Sequence, residues 1–315
     1  MSVYLVTGGA GFIGSHIVAA LLKKGEKVRV IDNFSTGKEE NLSAVLDKIE
    51  LITGDIRDLA LLKKTVKGVD YILHQAALRS VPKSIDDPLS YNEVNVTGTL
   101  NVLLAAREAG VRRVVFASSS SVYGDTKVFP ERETWVPAPI SPYAASKLAG
   151  EHYCQVASAI YGLETVSLRY FNVFGPRQSL ESQYAVVVPK FIMNMLNNKP
   201  APVHGDGRQS RDFTYIDNVV EANMLAAVTP GVSGEVFNIA CGKDYTILDL
   251  AGILNKIMNK NISPEFIASR PGDVRCTLAD ISKARRLLKL EVKVNFEEGL
   301  RTSVDWFNQH KKKYE

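Results

Sequence analysis

The sequence predicts a doubly wound α/β fold, a parallel sheet covered by helices on both faces, with a smaller lobe at its C-terminal side. Short apolar runs alternate with stretches of helical spacing through the first half. A glycine-rich turn joins the first such pair, and turn residues crowd the second half.

Residues 3–6 form a β-rich run, and residues 12–24 follow with apolar positions at helical spacing. Runs at 28–31, 49–52, 71–73 and 113–117 continue the series of strands, with a helical stretch at about 89–109 before the last. A helix from 143 to about 159 leads into a strand at 165–170. Continuous apolar strands separated by amphipathic helices mean parallel pairing with both faces buried. Past Phe171 the punctuation thickens: Gly175-Pro176, Gly205-Asp206-Gly207, Pro230-Gly231 and Pro271-Gly272. Residues 1–171 are therefore expected to form a dinucleotide-binding domain, and 172–315 mainly a substrate lobe. Part of 213–240 is expected to return to the first domain, with 235–239 as one more strand.

Charge excludes several classes. The 315 residues hold 38 basic and 34 acidic side chains, a net charge of +4. The tail containing Lys311, Lys312, Lys313 and Glu315 supplies half of that surplus, so no nucleic-acid footprint is expected. Cys154, Cys241 and Cys276 are odd in number and lie far apart, which fits a reducing cytosol and no disulfide framework. His16, His74, His152, His204 and His310 form no ligand cluster, so no metal is expected. No apolar stretch is long enough to predict an export signal or membrane span.

The turn Thr7-Gly8-Gly9-Ala10-Gly11-Phe12-Ile13-Gly14 joins the first strand to the first helix. Glycines at 8, 11 and 14 let a pyrophosphate approach the helix N-terminus. Asp32 closes the second strand, where a carboxylate accepts hydrogen bonds from ribose hydroxyls and repels a 2′-phosphate. No arginine stands in the next five residues to receive such a phosphate, so NAD rather than NADP is the expected cofactor. The bland alternative is a tight turn that merely needs small residues.

Tyr143 and Lys147 are four residues apart, on one face of one helix. A free tyrosine has a pKa of about 10. A nearby cation favours its phenolate and makes it a base near neutral pH, and Lys147 and the positive charge of the nicotinamide are the expected cations. Alone, the pair reads as a surface tyrosine beside a solvated lysine. The run Ser118-Ser119-Ser120-Ser121 directly after a strand changes that reading, because carboxyl ends of strands face the ligand crevice in such folds.

The chain resembles the extended short-chain dehydrogenase/reductases, and most closely the nucleotide-sugar 4-epimerases that act on UDP-sugars. TGGAGFIG at 7–14, GDIRD at 54–58, HQAA at 74–77, SSSVYG at 119–124, YAASK at 143–147, LRYFNVFGPRQ at 168–178 and SRDFTYIDN at 210–218 carry the likeness. It implies that Gly8, Gly11, Phe12, Ile13 and Gly14 meet the pyrophosphate. Asp32, Asn33, Phe34, Ser35, Thr36 and Gly37 would surround the adenosine ribose, and Asp55 and Ile56 the adenine. Gln75, Ala76, Ala77, Arg79 and Tyr170 would lie along the nicotinamide half, where relatives often carry lysine in place of Arg79. Asn95 would hold a loop near the cofactor.

The same resemblance implies Tyr143, Lys147 and Ser119 as the catalytic set, with Tyr143 and Lys147 also touching the cofactor. Arg79, Ser119, Ser120, Ser121, Tyr143, Asn172, Val188, Arg211, Arg270, Asp273 and Thr277 would contact the UDP-sugar. Arginine suits a diphosphate through its planar fork of donors, though Arg211 and Arg270 also read as surface ion pairs. The implied reaction takes the C4 proton with Tyr143, passes through a 4-keto sugar and inverts C4. Dehydratases on this scaffold carry Thr-Asp-Glu where this chain has Ser119-Ser120-Ser121, so water elimination is not expected.

Epimerases restricted to unacetylated sugars have a tyrosine aligned with Thr277. Threonine leaves room for a 2-acetamido group, so interconversion of UDP-GlcNAc and UDP-GalNAc is expected alongside UDP-Glc and UDP-Gal. A UDP-glucose enzyme restricted to unacetylated sugars and a UDP-glucuronate 4-epimerase remain alternatives, and a non-catalytic NAD-binding regulator represents a different class. A homodimer is implied by family likeness, with Tyr153, Val156 and Ile160 either in its seam or packed on the sheet. Cytoplasmic location is the corresponding expectation.

Overall fold

The computed structural model describes residues 1–180, 187–269 and 274–311. Its centre is a seven-stranded parallel sheet. The strands are β1 (Val3–Thr7), β2 (Lys27–Asp32), β3 (Ile49–Thr53), β4 (Tyr71–His74), β5 (Arg113–Ser119), β6 (Glu164–Tyr170) and β7 (Glu235–Ile239). They run in the order β7-β6-β5-β4-β1-β2-β3. All seven expected strands form, and 235–239 rejoins the sheet beside β6.

Alternation within the central strands buries both faces. Tyr4 and Val6 of β1, with Val115 and Ala117 of β5, enter one core together with Ile17, Val18 and Leu21 of helix α1 (Phe12–Lys23). Leu5, Val114 and Phe116 point the other way, onto Leu62 of α2 (Leu59–Thr65), Val102 of α3 (Gly98–Glu108) and Cys154 of α4 (Pro142–Tyr161). Such two-faced burial is what continuous apolar strands require. The helix expected at about 89–109 is a succession of three helical forms: an α-turn at Pro88–Tyr91, a π-helical stretch at Asn92–Thr97, and then α3.

The chain order reverses between β1 and β4, which makes their carboxyl ends a topological switch point, where such folds bind ligands. Strand register brings Thr7 opposite His74 and Ser119 opposite Tyr170 at that edge. The second half contributes α5 (Val187–Leu196), α6 (Ile216–Val228), α7 (Ile247–Met258) and α8 (Phe296–Gln309), together with strands of two or three residues. These short helices and strands, joined by loops, make up the smaller lobe expected from the turn-rich sequence. Helix α6 packs on α1 and on the main sheet, which ties this half to the crevice.

Candidate active site

The glycine turn is bare because backbone crowds every side of it. Gly8 has a φ of +67°, and a Cβ there would lie 2.8 Å from the Ala76 main chain. A Cβ on Gly14 would stand 2.2 Å from the Gly8 carbonyl, and one on Gly11 would stand 3.1 Å from it. The first turn of α1 begins at Phe12 and Ile13, where main-chain N–H groups lack helical acceptors. That cradle suits a pyrophosphate, so the residues fit the dinucleotide their sequence implies.

Asp32 lies at the end of β2 beside the turn. Its Oδ2 accepts from the Ala10 amide at 2.9 Å and its Oδ1 from Phe34 at 2.8 Å. Burial raises its pKa, and these two bonds oppose the rise. Gly37 passes so close that a Cβ there would be 2.8 Å from Asp32 Oδ1. Asn33 donates to Asp55 Oδ2 at 2.8 Å and accepts from the Ser35 amide at 3.0 Å. Asp55 is held down at about 2, chiefly by hydrogen bonding from Arg57. Ile56 is buried against Gly98, where a Cβ would clash with it at 2.6 Å. Thr36 is exposed in the same loop.

The segment after β4 is fixed by a buried polar chain. Thr99 donates to the Asn95 carbonyl at 2.6 Å, so it accepts from His74 Nε2 at 3.0 Å. That assigns the proton to Nε2 and leaves Nδ1 to accept from Thr7 at 2.7 Å, while Thr7 accepts from the Ala76 amide at 3.2 Å. Burial pushes His74 down to about 3, so it stays neutral. Asn95, within the π-helical stretch, bonds both main-chain groups of Leu78, at 2.8 and 2.9 Å, and donates to Ser146 at 3.0 Å. It therefore holds the 76–80 loop against α4; Ala77 lies half-buried in that loop. The Tyr170 hydroxyl, Gln75 and Asn223 form a further cluster with bonds of 2.8 to 3.2 Å.

Ser141 caps α4 and Pro142 opens it, which places Tyr143 in its first turn. Tyr143 is buried, and desolvation raises its pKa. A hydrogen bond with Ser119 and the charge of Arg79 oppose that rise. The positive end of α4 acts in the same direction. The buried Lys147 ammonium donates to the Ala117 carbonyl at 2.8 Å and sits 5.1 Å from the Phe116 ring. Burial lowers Lys147 to about 7. The Ser119 and Ser121 hydroxyls lie 3.1 Å apart, within hydrogen-bond distance, and Ser119 accepts from the Ser121 amide at 3.2 Å, with Ser120 half-buried between them.

Across the crevice, Asn172 (φ +34°) donates to Thr277 Oγ1 at 2.8 Å and to the Asp212 carbonyl at 3.1 Å. Thr277 pairs with Arg211 across two short strands, so three expected sugar-lobe residues converge. Val188 is buried in the core at the start of α5, which leaves only its main chain to meet a ligand. Arg270 and Asp273 lie outside the described residues.

Sequence reasoning assigned no role to His74, Asn223, Asp212 or Glu131. Asp212 accepts from the Cys241 and Gly242 amides at 2.9 Å each and is pushed up to about 7 by burial. Only the quoted motifs HQAA and SRDFTYIDN marked two of these four, since their partners lie far along the chain. No group of three metal-ligating side chains occurs among the described residues, and none of their helices is long and apolar enough to cross a membrane.

Over residues 4–240 the chain matches the model of the NAD dependent epimerase/dehydratase family. A UDP-N-acetylglucosamine 4-epimerase from Methanobrevibacter ruminantium, solved with UDP-N-acetylmuramic acid, is 43% identical and superposes with a TM-score of 0.94 over 98% of this chain and 99% of that one. A UDP-glucuronic acid 4-epimerase from Bacillus cereus, solved with UDP-glucuronic acid and NAD, is 37% identical, with a TM-score of 0.90 over 98% and 99%. A UDP-glucose 4-epimerase of Mycolicibacterium smegmatis is 38% identical over 307 residues, covering 96% of this chain and 97% of the relative. The chain therefore belongs to the NAD dependent epimerase/dehydratase family, as an extended short-chain dehydrogenase/reductase of the UDP-sugar 4-epimerase group.

Proposed function

We propose that this protein is an isomerase that inverts C4 of UDP-hexoses with tightly held NAD, interconverting UDP-GlcNAc and UDP-GalNAc and also UDP-glucose and UDP-galactose. The observation that carries the reading is the buried Tyr143 phenol hydrogen-bonded with Ser119 at the carboxyl edge of the sheet that also carries the bare glycine turn. The glycine turn with Phe12 and Ile13, the Asp32–Gly37 segment, Asp55, Ile56 and the 76–79 loop would hold the cofactor. Bound NAD supplies a reversible hydride acceptor for the sugar C4.

The protein's own residues handle the proton and the pose. Tyr143 removes the C4 hydroxyl proton and returns it when C4 is rebuilt with the opposite configuration. Burial makes the phenolate a strong base, while Ser119, Arg79 and the α4 N-terminus keep its formation accessible. Lys147, bonded to Ala117, keeps α4 in register with the end of β5 and so orients the base. Arg211, with Arg270, offers forked donors to the diphosphate. Asn172 and Thr277 would line the sugar, which turns over as a 4-keto species between two poses.

The small side chain of Thr277, bonded to Asn172, supports acceptance of a 2-acetamido group. The test incubates purified protein, without added NAD, with UDP-GlcNAc, UDP-glucose and UDP-glucuronate and identifies the products. Conversion of the first two is expected, whereas product from UDP-glucuronate alone would transfer the assignment to that sugar. Thr277→Tyr should abolish turnover of the acetylated pair and spare the other; equal loss on both pairs would make Thr277 a packing residue.

A homodimer is part of the same reading. Tyr153, Val156 and Ile160 point outward from α4, with Ile160 70% exposed, and do not pack on the sheet. Light scattering should give twice the chain mass, and a monomer would refute the seam.

A further inference from the structure

Beneath the crevice lies a charged cluster to which the proposed mechanism assigns no role. Ser118, Glu151 and Arg169 are buried. The Ser118 hydroxyl donates to Glu151 Oε1. Arg169 donates from Nε to that same oxygen at 2.9 Å and from Nη2 to Oε2 at 2.7 Å, and its guanidinium lies 4.7 Å from the centre of the Tyr123 ring. Taking such a pair out of water costs so much that apolar side chains of similar volume often hold a core at least as well. What apolar packing does not supply is direction.

The cluster's neighbours are the catalytic groups. Ser118 immediately precedes Ser119 on β5, and Glu151 follows Lys147 by one turn of α4. Ala117 accepts from Lys147, and Ser118 donates to Glu151. Two consecutive residues of the strand are therefore bonded to two successive turns of the helix. Ser119 comes next and meets Tyr143, one turn further back on the same helix. Arg169, directly opposite Ser118 in the β5–β6 register, fixes Glu151 from the neighbouring strand.

We propose that Glu151 is a positioning residue of the reaction: held by Arg169, it clamps the end of β5 to α4 through Ser118 and so sets where the Ser119 hydroxyl stands relative to the Tyr143 phenol. The inference rests on the C4 epimerisation proposed above. Misplacement of a reacting group by about 1 Å can cost roughly 100-fold in rate. Freeing one of the two strand-to-helix bonds, with Lys147 still attached, is expected to cost about a tenth of that, roughly tenfold.

The test uses the full-length protein with its bound cofactor. Ser118→Ala removes the clamp but leaves the Glu151–Arg169 pair intact, so the fold is retained. Its kcat should fall about tenfold, with KM for the UDP-sugar and the bound NAD unchanged. The double variant Glu151→Leu/Arg169→Met removes both charges together. It should keep near wild-type thermal stability and lose at least tenfold in kcat. A Ser118→Ala protein with wild-type kcat, or one changed only in melting temperature or in KM, overturns the positioning role. Wild-type turnover is measured first in the same assay. Its absence counts against the proposed activity, whereas wild-type turnover matched by Ser118→Ala counts against the clamp alone.

Discussion

Gly14→Ala tests why the turn that precedes α1 has to be bare. Gly14 lies in the first turn of α1, and helical propensity alone favours alanine there by about 1 kcal/mol. The structure predicts the opposite sign. The added Cβ would lie 2.2 Å from the Gly8 carbonyl oxygen and 2.8 Å from the Gly9 Cα, so the helix must retreat by about 1.2 Å to restore ordinary contact. The obstacle is backbone on both sides, which cannot swing aside as a side chain does. Overpacking of this kind costs about 1–3 kcal/mol, enough to outweigh the propensity gain. The same retreat widens the cradle, so NAD affinity should fall roughly 100-fold. Gly252→Ala is the internal control: it lies within α7, exposed, with nothing within 4 Å of its added Cβ. That variant should gain about 0.5–1 kcal/mol. Urea unfolding and NAD titration of both variants provide the measurement. A Gly14→Ala protein as stable as Gly252→Ala, with NAD binding intact, would refute the close-approach argument.

Two further outcomes follow from the buried ionisable groups. Tyr143→Phe should retain NAD and lose at least 1000-fold in epimerisation rate, measured by product analysis; a near-normal rate would remove the phenol from the chemistry. Burial and the neighbouring Asp212 push Glu131 up to about 8. The native carboxyl then keeps a proton that the unfolded chain has released above about pH 4.5. This contribution to stability is full at low pH and is lost as pH rises toward 8, at up to about 1.4 kcal/mol per pH unit. Glu131→Gln should flatten that decline in urea midpoints taken between pH 5.5 and 8.5, and parallel curves for the two proteins would contradict the raised value.

Much of the fold was legible because it depends on local pattern. Each strand of the main sheet is a continuous apolar run, and even β7, 65 residues after β6, declared itself through Val236, Phe237 and Ile239. The glycine turn, Asp32 and Tyr143 stand out in the sequence by residue type and spacing, whereas Ser119 is singled out among four serines only by the family resemblance. The rest depends on pairings the linear sequence hides. Glu151 carries no mark in the sequence, because Arg169 and Ser118, which enclose it, lie 18 and 33 residues away. His74 is marked only by its place in HQAA, because Thr7 and Thr99, which approach it from two elements, lie 67 and 25 residues away. Lys147 reads as a cation beside the phenol, and the Ala117 carbonyl that accepts from its ammonium lies 30 residues away in the chain. Buried polar partners separated by tens of residues leave no periodic trace.

In the proposed reaction C4 is oxidised and rebuilt within one site with no net redox change. The most direct measurement uses a UDP-hexose bearing deuterium at C4, incubated with the purified protein in ordinary water without added cofactor, with the product read by mass spectrometry and NMR. The expected product is the C4 epimer with the deuterium still on C4. Product that has exchanged its label for solvent hydrogen, or conversion that requires a stoichiometric external oxidant or reductant, would contradict it.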